Sequence, residues 1–194
     1  AKACQKLNIN VWEVIEAANT KPYGFQAFYP GPGIGGHCIP VDPIYLTWRM
    51  KKAKVRMPLL ETANKIVKLM PKYIVKRIKK IMKISKIVLS DANILLVGIT
   101  YKKDSDDLRE SPSLKIIDEL KKYGVIVSIY DPYIKKLDYK GKAYESIDIE
   151  EINKYDLVVI CVDHSNIDYG HIYEYAKIVF DLKNTSKKNN KGKK

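Results

Sequence analysis

Residues 93–99 read "NILLVGI", an uninterrupted apolar run that is too short for a helix and ends at a glycine. After a polar stretch comes "SPSLKIIDELKKYG" at 111–124. There Ser111 suits an N-cap, Pro112 the first helical position and Gly124 the stop. Three more apolar runs rich in β-branched residues follow: "VIVSIYDP" at 125–132, "YDLVVICVDH" at 155–164 and "IVFDL" at 178–182. A strand, helix, strand rhythm of about 30 residues per cycle predicts a parallel sheet with right-handed crossovers. Strands covered on both faces read as continuous apolar runs rather than alternating ones. In such an open sheet, ligands bind beyond the carboxyl ends of the strands.

Upstream of Asp91 the pattern is helical. Lys2 to Asn19 reads as one helix, with Val11, Ile15 and Ala18 on one side. Pro22 and Gly24 punctuate a loop that leads into "PGPGIGGHCIPVDP" at 30–43. From Asp42, taken as an acidic N-cap with Pro43 behind it, a short helix is expected. Pro58 opens a longer one, in which Ile66, Leu69, Met70, Tyr73, Ile74, Ile78, Ile81 and Met82 recur at three- and four-residue steps. That stripe predicts a core or helix–helix contact, and Pro71 within it should kink the helix.

The fold class expected is therefore α/β: a helical segment over 1–90, then a small Rossmann-like open parallel sheet over 91–183. The remainder, 184–194, is lysine- and asparagine-rich without an apolar residue and is expected to be disordered. The chain opens without methionine and within a helical pattern, which suggests a fragment of a longer protein.

Bulk properties exclude several classes. No run approaches the roughly 18 apolar residues of a membrane span, and no signal-peptide pattern opens the chain. The formal charge of +13 is carried almost wholly by lysine, spread along the sequence. Bulk charge of that kind is weak evidence for nucleic acid, which is kept as a rival but not expected as a partner. Cys4, Cys38 and Cys161 leave at least one thiol unpaired, as in a reducing cytoplasm, and none has the spacing of a zinc site. No metal is expected.

The loop at 30–43 spends four glycines and four prolines around one thiol. Gly31, Gly33, Gly35 and Gly36 would leave backbone amides uncovered, and successive amides of this kind form nests for phosphate or sugar oxygens. Cys38 follows directly, and the helix from Asp42 would point its positive end back toward it. A thiolate is the nucleophilic form of cysteine and is favoured at such a place. The other reading of Cys38 is a small buried hydrophobe. His37 reads equally as structural or catalytic.

These residues carry a resemblance. "GPGIGGHCIPVDPIYL" at 31–46 resembles the cysteine-loop signature of the UDP-glucose/GDP-mannose dehydrogenase family. "LLVGITYKKDSDDLRESPSLKIIDEL" at 95–120 and "YDPY" at 130–133 resemble that family's nucleotide-sugar-binding domain. The "HCIPVDP" form is similar to the branch acting on UDP-N-acetylhexosamines. The resemblance covers essentially Ala1 to Lys183.

It implies an NAD-dependent oxidation of a sugar C6 alcohol to a carboxylate, in two steps, with UDP-N-acetyl-D-mannosamine as the first choice of sugar. Cys38 matches the nucleophile that traps the aldehyde as a thiohemiacetal and carries the later thioester. Asp42 matches the acid that activates water or shuttles protons. Tyr29, Pro30, Gly31, Pro32, Gly33, Ile34 and Gly35 match the substrate cradle. Tyr101 and Lys102 match an aromatic and a lysine on the nucleotide-sugar, and Lys183 stands where the family has an arginine near the phosphates. Arg109 matches an arginine that reaches NAD, close to Cys38, although acidic neighbours at 106, 107 and 110 offer it a plain salt bridge. Central helices pair subunits in the family, so a homodimer is expected.

Three departures bear on this. Lys183 keeps the charge of the family's arginine and loses its fork. No arginine precedes Tyr29 to serve a neighbouring subunit. Nothing here resembles a G-x-G-x-x-G fingerprint after a strand, so the amino-terminal NAD-binding half is missing and the chain is expected to be silent alone. A non-catalytic nucleotide-sugar-binding module is the alternative.

Overall fold

The computed structural model describes residues 1–186. By packing, the chain forms two compact units, residues 1–31 and residues 32 onward.

The first unit holds two helices, α1 (Lys2–Lys6) and α2 (Val11–Ala18), where the sequence suggests one. The break has a local cause. Asn8 adopts a left-handed φ of 55°, a conformation asparagine tolerates well. Asn10 then caps α2: its side chain accepts from the Trp12 amide at 3.1 Å and donates to Glu13 at 2.8 Å. Trp12 also stacks on Tyr29, with ring centroids 5.4 Å apart.

The second unit begins with α3 (Asp42–Lys52) and α4 (Pro58–Ile84), and α3 packs on α4. The α/β part then runs β1 (Asn93–Val97), α5 (Pro112–Lys121), β2 (Ile126–Tyr130), β3 (Lys136–Tyr139), β4 (Lys142–Glu145), β5 (Leu157–Ile160), α6 (Tyr169–Tyr175) and β6 (Val179–Asp181). The main sheet has the order β2-β1-β5-β6, with every pair parallel. The expected helix signals hold. Ser111 accepts from the Ser113 amide at the start of α5, and Gly124 takes a φ of 75° after its end.

The sheet is covered on both faces. Ile94 and Leu96 of β1 pack with α4 and α5, through Ile74, Ile78, Met82, Ile116, Ile117 and Leu120. Leu95 and Val97 face the other way, against Ile152, Tyr169 and Ile172. This layering explains the unbroken apolar run from which the sheet is read.

Two further observations qualify the expectations. The carboxyl half of α4 shares one core with the sheet, so packing does not divide the chain near residue 90. Also, α4 continues as a single element through the buried Pro71. Its buried residues, Ile74, Val75, Ile78 and Met82, all follow that proline, while Leu59, Ile66 and Leu69 before it are exposed. The stripe is thus core in its second half only.

The hairpin β3–β4 has no counterpart in the sequence reading. Lys140 and Gly141 turn it, both with positive φ (52° and 73°), the pattern of a two-residue I′ turn. Beyond it, Ser146 bridges to Ile129 and the Ile147 amide donates to the Ile129 carbonyl, along the outer side of β2. At the other end of the sheet, the Asp181 carboxylate accepts from the amides of Lys183 and Thr185 and from the Tyr173 hydroxyl. Residues 184–186 of the expected disordered tail are therefore tied down, and 187–194 lie outside the described residues.

Candidate nucleotide-sugar site

At the carboxyl end of β1 the chain passes Gly98, at a φ of 79°. A Cβ there would lie 2.5 Å from that of Val162, so β1 and the segment after β5 touch backbone to side chain. The loop that follows is pinned on both sides. The Asp131 carboxylate accepts from the Ile99 amide at 2.7 Å, and the hydroxyls of Ser111 and Ser113 donate to the carbonyls of Ile99 and Gly98.

Behind this loop lies a buried polar cluster that the sequence reading missed. His164 is fully buried. Its Nδ1 accepts from the Asp104 amide at 3.0 Å, which puts the ring proton on Nε2, 3.3 Å from both Asp131 Oδ2 and Thr100 Oγ1. Burial pushes the Asp131 pKa up, but hydrogen bonds from His164 and from the Ile99 and Tyr133 amides outweigh it and hold the carboxyl below its ordinary range. Asp104 in turn accepts from the amide and hydroxyl of Ser165, and those bonds lower its pKa. The signal was available: "YDP" and "VDH" each put an ionisable residue just past a strand's carboxyl end, where an α/β sheet builds its sites.

The cluster supports the turn bearing Tyr101 and Lys102, with the Tyr101 amide donating to the Asp107 carbonyl at 3.0 Å. The glycine loop lands on this turn. A Cβ on Gly35 would fall 2.3 Å from Tyr101 Cβ, and one on Gly36 would fall 2.9 Å from the ring edge. The Gly36 amide donates to the Arg109 carbonyl at 2.8 Å. These two glycines therefore let main chain lie against an aromatic side chain, and the Gly36 amide is already used. This differs from the open anion nest that their spacing suggests.

Past the glycines, the Val41 amide donates to the His37 carbonyl at 2.9 Å and closes a turn around Cys38. Cys38 is exposed, and all three cysteines are free thiols. Asp42 does not cap α3. Val41 is the N-cap, already in helical conformation, and the Asp42 carboxylate lies 3.1 Å from His37 Nδ1.

The remaining candidates are placed as follows. Pro32 is buried, while Gly33 and Ile34 line the loop above Pro112 and a groove beside α4. Tyr29, Pro30 and Gly31 belong to the first packing unit, where Tyr29 is engaged by Trp12. Lys183, just past β6, pairs with Asp163 at 3.3 Å. Lys183, Tyr101 and Lys102 thus follow the carboxyl ends of β6 and β1, at the same end of one sheet. Arg109 is held by Asp107, its Nε 2.9 and 3.0 Å from the two carboxylate oxygens. That bond raises the arginine's pKa and lowers the aspartate's. The salt bridge weighed from the sequence is the one present. A groove of about 790 Å³ between α4, α5 and the underside of the cysteine loop is lined by neither Cys38, Tyr101, Lys102 nor Lys183. It is a separate feature.

Gly98, the glycine after β1, is filled against Val162, and Arg109, exposed, pairs with Asp107. The described residues build a cationic and aromatic platform with an exposed thiol beside it.

Comparison with known proteins divides the sequence differently from its packing. Residues 1–68 match the central domain of the UDP-glucose/GDP-mannose dehydrogenase family, and residues 95–188 match its UDP binding domain. The chain belongs to this family. It is 38% identical over 192 residues to the UDP-N-acetyl-D-mannosamine dehydrogenase of Methanocaldococcus jannaschii, covering 95% of this chain and 42% of that one. Protein CapL of Staphylococcus aureus is 33% identical over 184 residues, covering 92% and 43%. Among solved structures, the UDP-D-ManNAc dehydrogenase of Pyrococcus horikoshii superposes with a TM-score of 0.78 at 29% identity, over 94% of this chain and 42% of that one. The UDP-N-acetyl-mannosamine dehydrogenase Cap5O of S. aureus gives 0.70 at 36%, over 94% and 41%. The chain thus spans about two fifths of the length of these relatives. Among the described residues no helix is long and apolar enough to cross a membrane.

Proposed function

We propose that this chain forms the nucleotide-sugar and thiol side of an enzyme that oxidises the C6 alcohol of a UDP-N-acetylhexosamine to the acid, with UDP-N-acetyl-D-mannosamine as the sugar. The observation that carries the reading is the seating of Gly35 and Gly36 on Tyr101, which joins the Cys38 loop to the carboxyl end of the sheet. The names of the relatives support the choice of substrate.

In this reading the diphosphate is met by Lys102 and Lys183, and the base or ribose by Tyr101. NAD, when bound, supplies the hydride acceptor, and Arg109 is the residue of this chain placed to reach it. The sulfur of Cys38 adds to the C6 aldehyde carbon, forming a carbon–sulfur bond while the carbonyl oxygen gains a proton. The thiohemiacetal so formed keeps the carbon tetrahedral for the second oxidation. At the thioester, Asp42 takes a proton from the attacking water, and the carbon–sulfur bond breaks to release the acid and the thiol. His37, 3.1 Å from Asp42, orients that carboxylate.

The test is thermal. At 100 times its dissociation constant, UDP-N-acetyl-D-mannosamine should raise the melting temperature of the 194-residue chain by roughly 5–10 °C. Lys102→Ala should shrink that rise, and GDP-mannose should give less. If no UDP-sugar moves the midpoint, the proposal fails. A homodimer through the exposed amino half of α4 is part of the same reading. Light scattering that returns a monomer at high protein concentration would remove that part.

A further inference from the structure

The turn that presents Cys38 also gathers two other ligand-type side chains. One donor atom each from His37, Cys38 and Asp42 lies within 4.8 Å of the others, on three exposed residues. We propose that these three side chains form a binding site for a thiolate-preferring divalent cation of the zinc class.

Geometry argues for it first. The bond from the Val41 amide to the His37 carbonyl folds the chain so that residues five apart in sequence meet, with His37 Nδ1 3.1 Å from Asp42 Oδ1. Pro40 and Pro43 fix the backbone on either side of Val41. Around tetrahedral zinc, bond lengths of about 2.0–2.3 Å put ligand atoms roughly 3.4–3.6 Å apart. The nitrogen and oxygen, 3.1 Å apart, are within a few tenths of an ångström of that spacing, and the sulfur, within 4.8 Å of both, needs only a small side-chain movement.

Chemistry argues second. Sulfur, imidazole nitrogen and carboxylate oxygen are the zinc ligand types, and three protein ligands leave a fourth position for water. When a metal displaces the thiol proton, the sulfur and the Asp42 carboxylate bring two negative charges to it. Arg109, the guanidinium that interacts with Cys38, is already paired with Asp107. The spacing H-C-x₃-D matches no zinc signature, so the sequence alone predicts no metal. The ligands are brought together by a proline-stiffened turn.

Binding exchanges the thiol proton for the metal and needs no other reactant. It stands apart from the function proposed above. Its consequence rests on that reading, since a metal-held sulfur cannot add to an aldehyde, and the site would act as a reversible block.

The experiment uses the 194-residue chain with Cys4→Ser, titrated anaerobically with Co²⁺. A thiolate-to-cobalt charge-transfer band should grow to one equivalent and disappear on adding Zn²⁺, which binds such ligands more tightly. Cys38→Ser should abolish the band. His37→Ala and Asp42→Asn should each weaken Co²⁺ at least about tenfold, the loss already produced by disturbing a metal ligand's outer partners. All three side chains are exposed, and matched far-ultraviolet spectra will show that the variants fold. No band, or affinity unchanged in both His37→Ala and Asp42→Asn, overturns the proposal. Either result leaves the UDP-sugar melting shifts untouched, so the two ideas fail separately.

Discussion

Gly35→Ala is the sharpest probe of how the cysteine loop is held. The new methyl would sit 2.3 Å from Tyr101 Cβ, 3.0 Å from Cγ and 3.1 Å from the Glu110 carbonyl oxygen. The first contact is about 1.1 Å short of the ordinary limit of 3.4 Å. Tyr101 Cβ is fixed to the main chain, so no side-chain rotation relieves the clash. The loop must lift, giving up the bond from the Gly36 amide to Arg109, worth about 1 kcal/mol, while overpacking of this kind costs about 1–3 kcal/mol. The core beneath needs no change, because the loop can detach without unfolding the sheet. The expected outcome is therefore local. Exchange at the Gly36 amide should speed up by roughly 30- to 150-fold, the equivalent of about 2–3 kcal/mol, while the melting temperature falls by a few degrees. Hydrogen exchange on peptides spanning 33–41 measures it. Adding Tyr101→Gly should restore part of the protection, because it removes the atom struck. Unchanged Gly36 protection in Gly35→Ala would show that the glycine–tyrosine contact does not hold the loop.

Other expectations follow from the same geometry. Gly98→Ala combines a left-handed φ with a 2.5 Å clash against Val162 and should cost roughly 3–5 kcal/mol in chemical denaturation, against about 1–2 kcal/mol for Gly141→Ala, which has nothing within 4 Å. Asp131→Asn should cost about 2–4 kcal/mol, because either orientation of the amide points a donor at His164 Nε2–H and Ile99 N–H or at the Tyr133 amide. Since the Asp131 pKa is lowered by folding, its stabilisation is complete above the unfolded value of about 3.9 and is lost as pH falls through the folded one. The variant's stability should accordingly change less than the parent's on acidification from about pH 5. Burial pushes the Cys161 thiol up to about 12, so native protein treated with iodoacetamide near pH 8 should be alkylated at Cys38 and spared at Cys161. Equal labelling in a peptide map would contradict the burial.

The central sheet was legible because its physics is local. Strands sandwiched between helices must be apolar throughout, and Ser111, Pro112 and Gly124 punctuate α5 by their own stereochemistry. The helices at the amino end were misread as one because Asn8 and Asn10, both polar and short, break and restart the chain through side-chain bonds that periodicity does not register. The hairpin was missed because β3 and β4 are only four residues each, half of them charged. Their apolar signal is only one or two residues per strand, Leu137 and Tyr139 on one and Tyr144 on the other packing on the core, and the turn at Lys140–Gly141 and the anchoring of Ser146 on β2 fix them. At the site, Cys38, Tyr101 and Lys102 could be named from motifs, but their supports could not. His164 and Asp131 are 33 residues apart, and nothing in either segment announces the other. The capping expected of Asp42 does not occur for a similar reason: the preceding turn already has helical geometry, Val41 takes the N-cap place, and the carboxylate turns to His37.

The placement of the hairpin's exit strand has a consequence for solution behaviour. Outermost strands of open sheets are templates on which a second molecule can grow fibrils. Here β2 has that flank occupied by Ser146 and Ile147, and β6, at the opposite margin, is three residues long and closes at once on the Asp181-bound turn. Among the described residues, then, one margin of the main sheet is partly covered and the other is short, which limits the ladder a neighbouring molecule could extend.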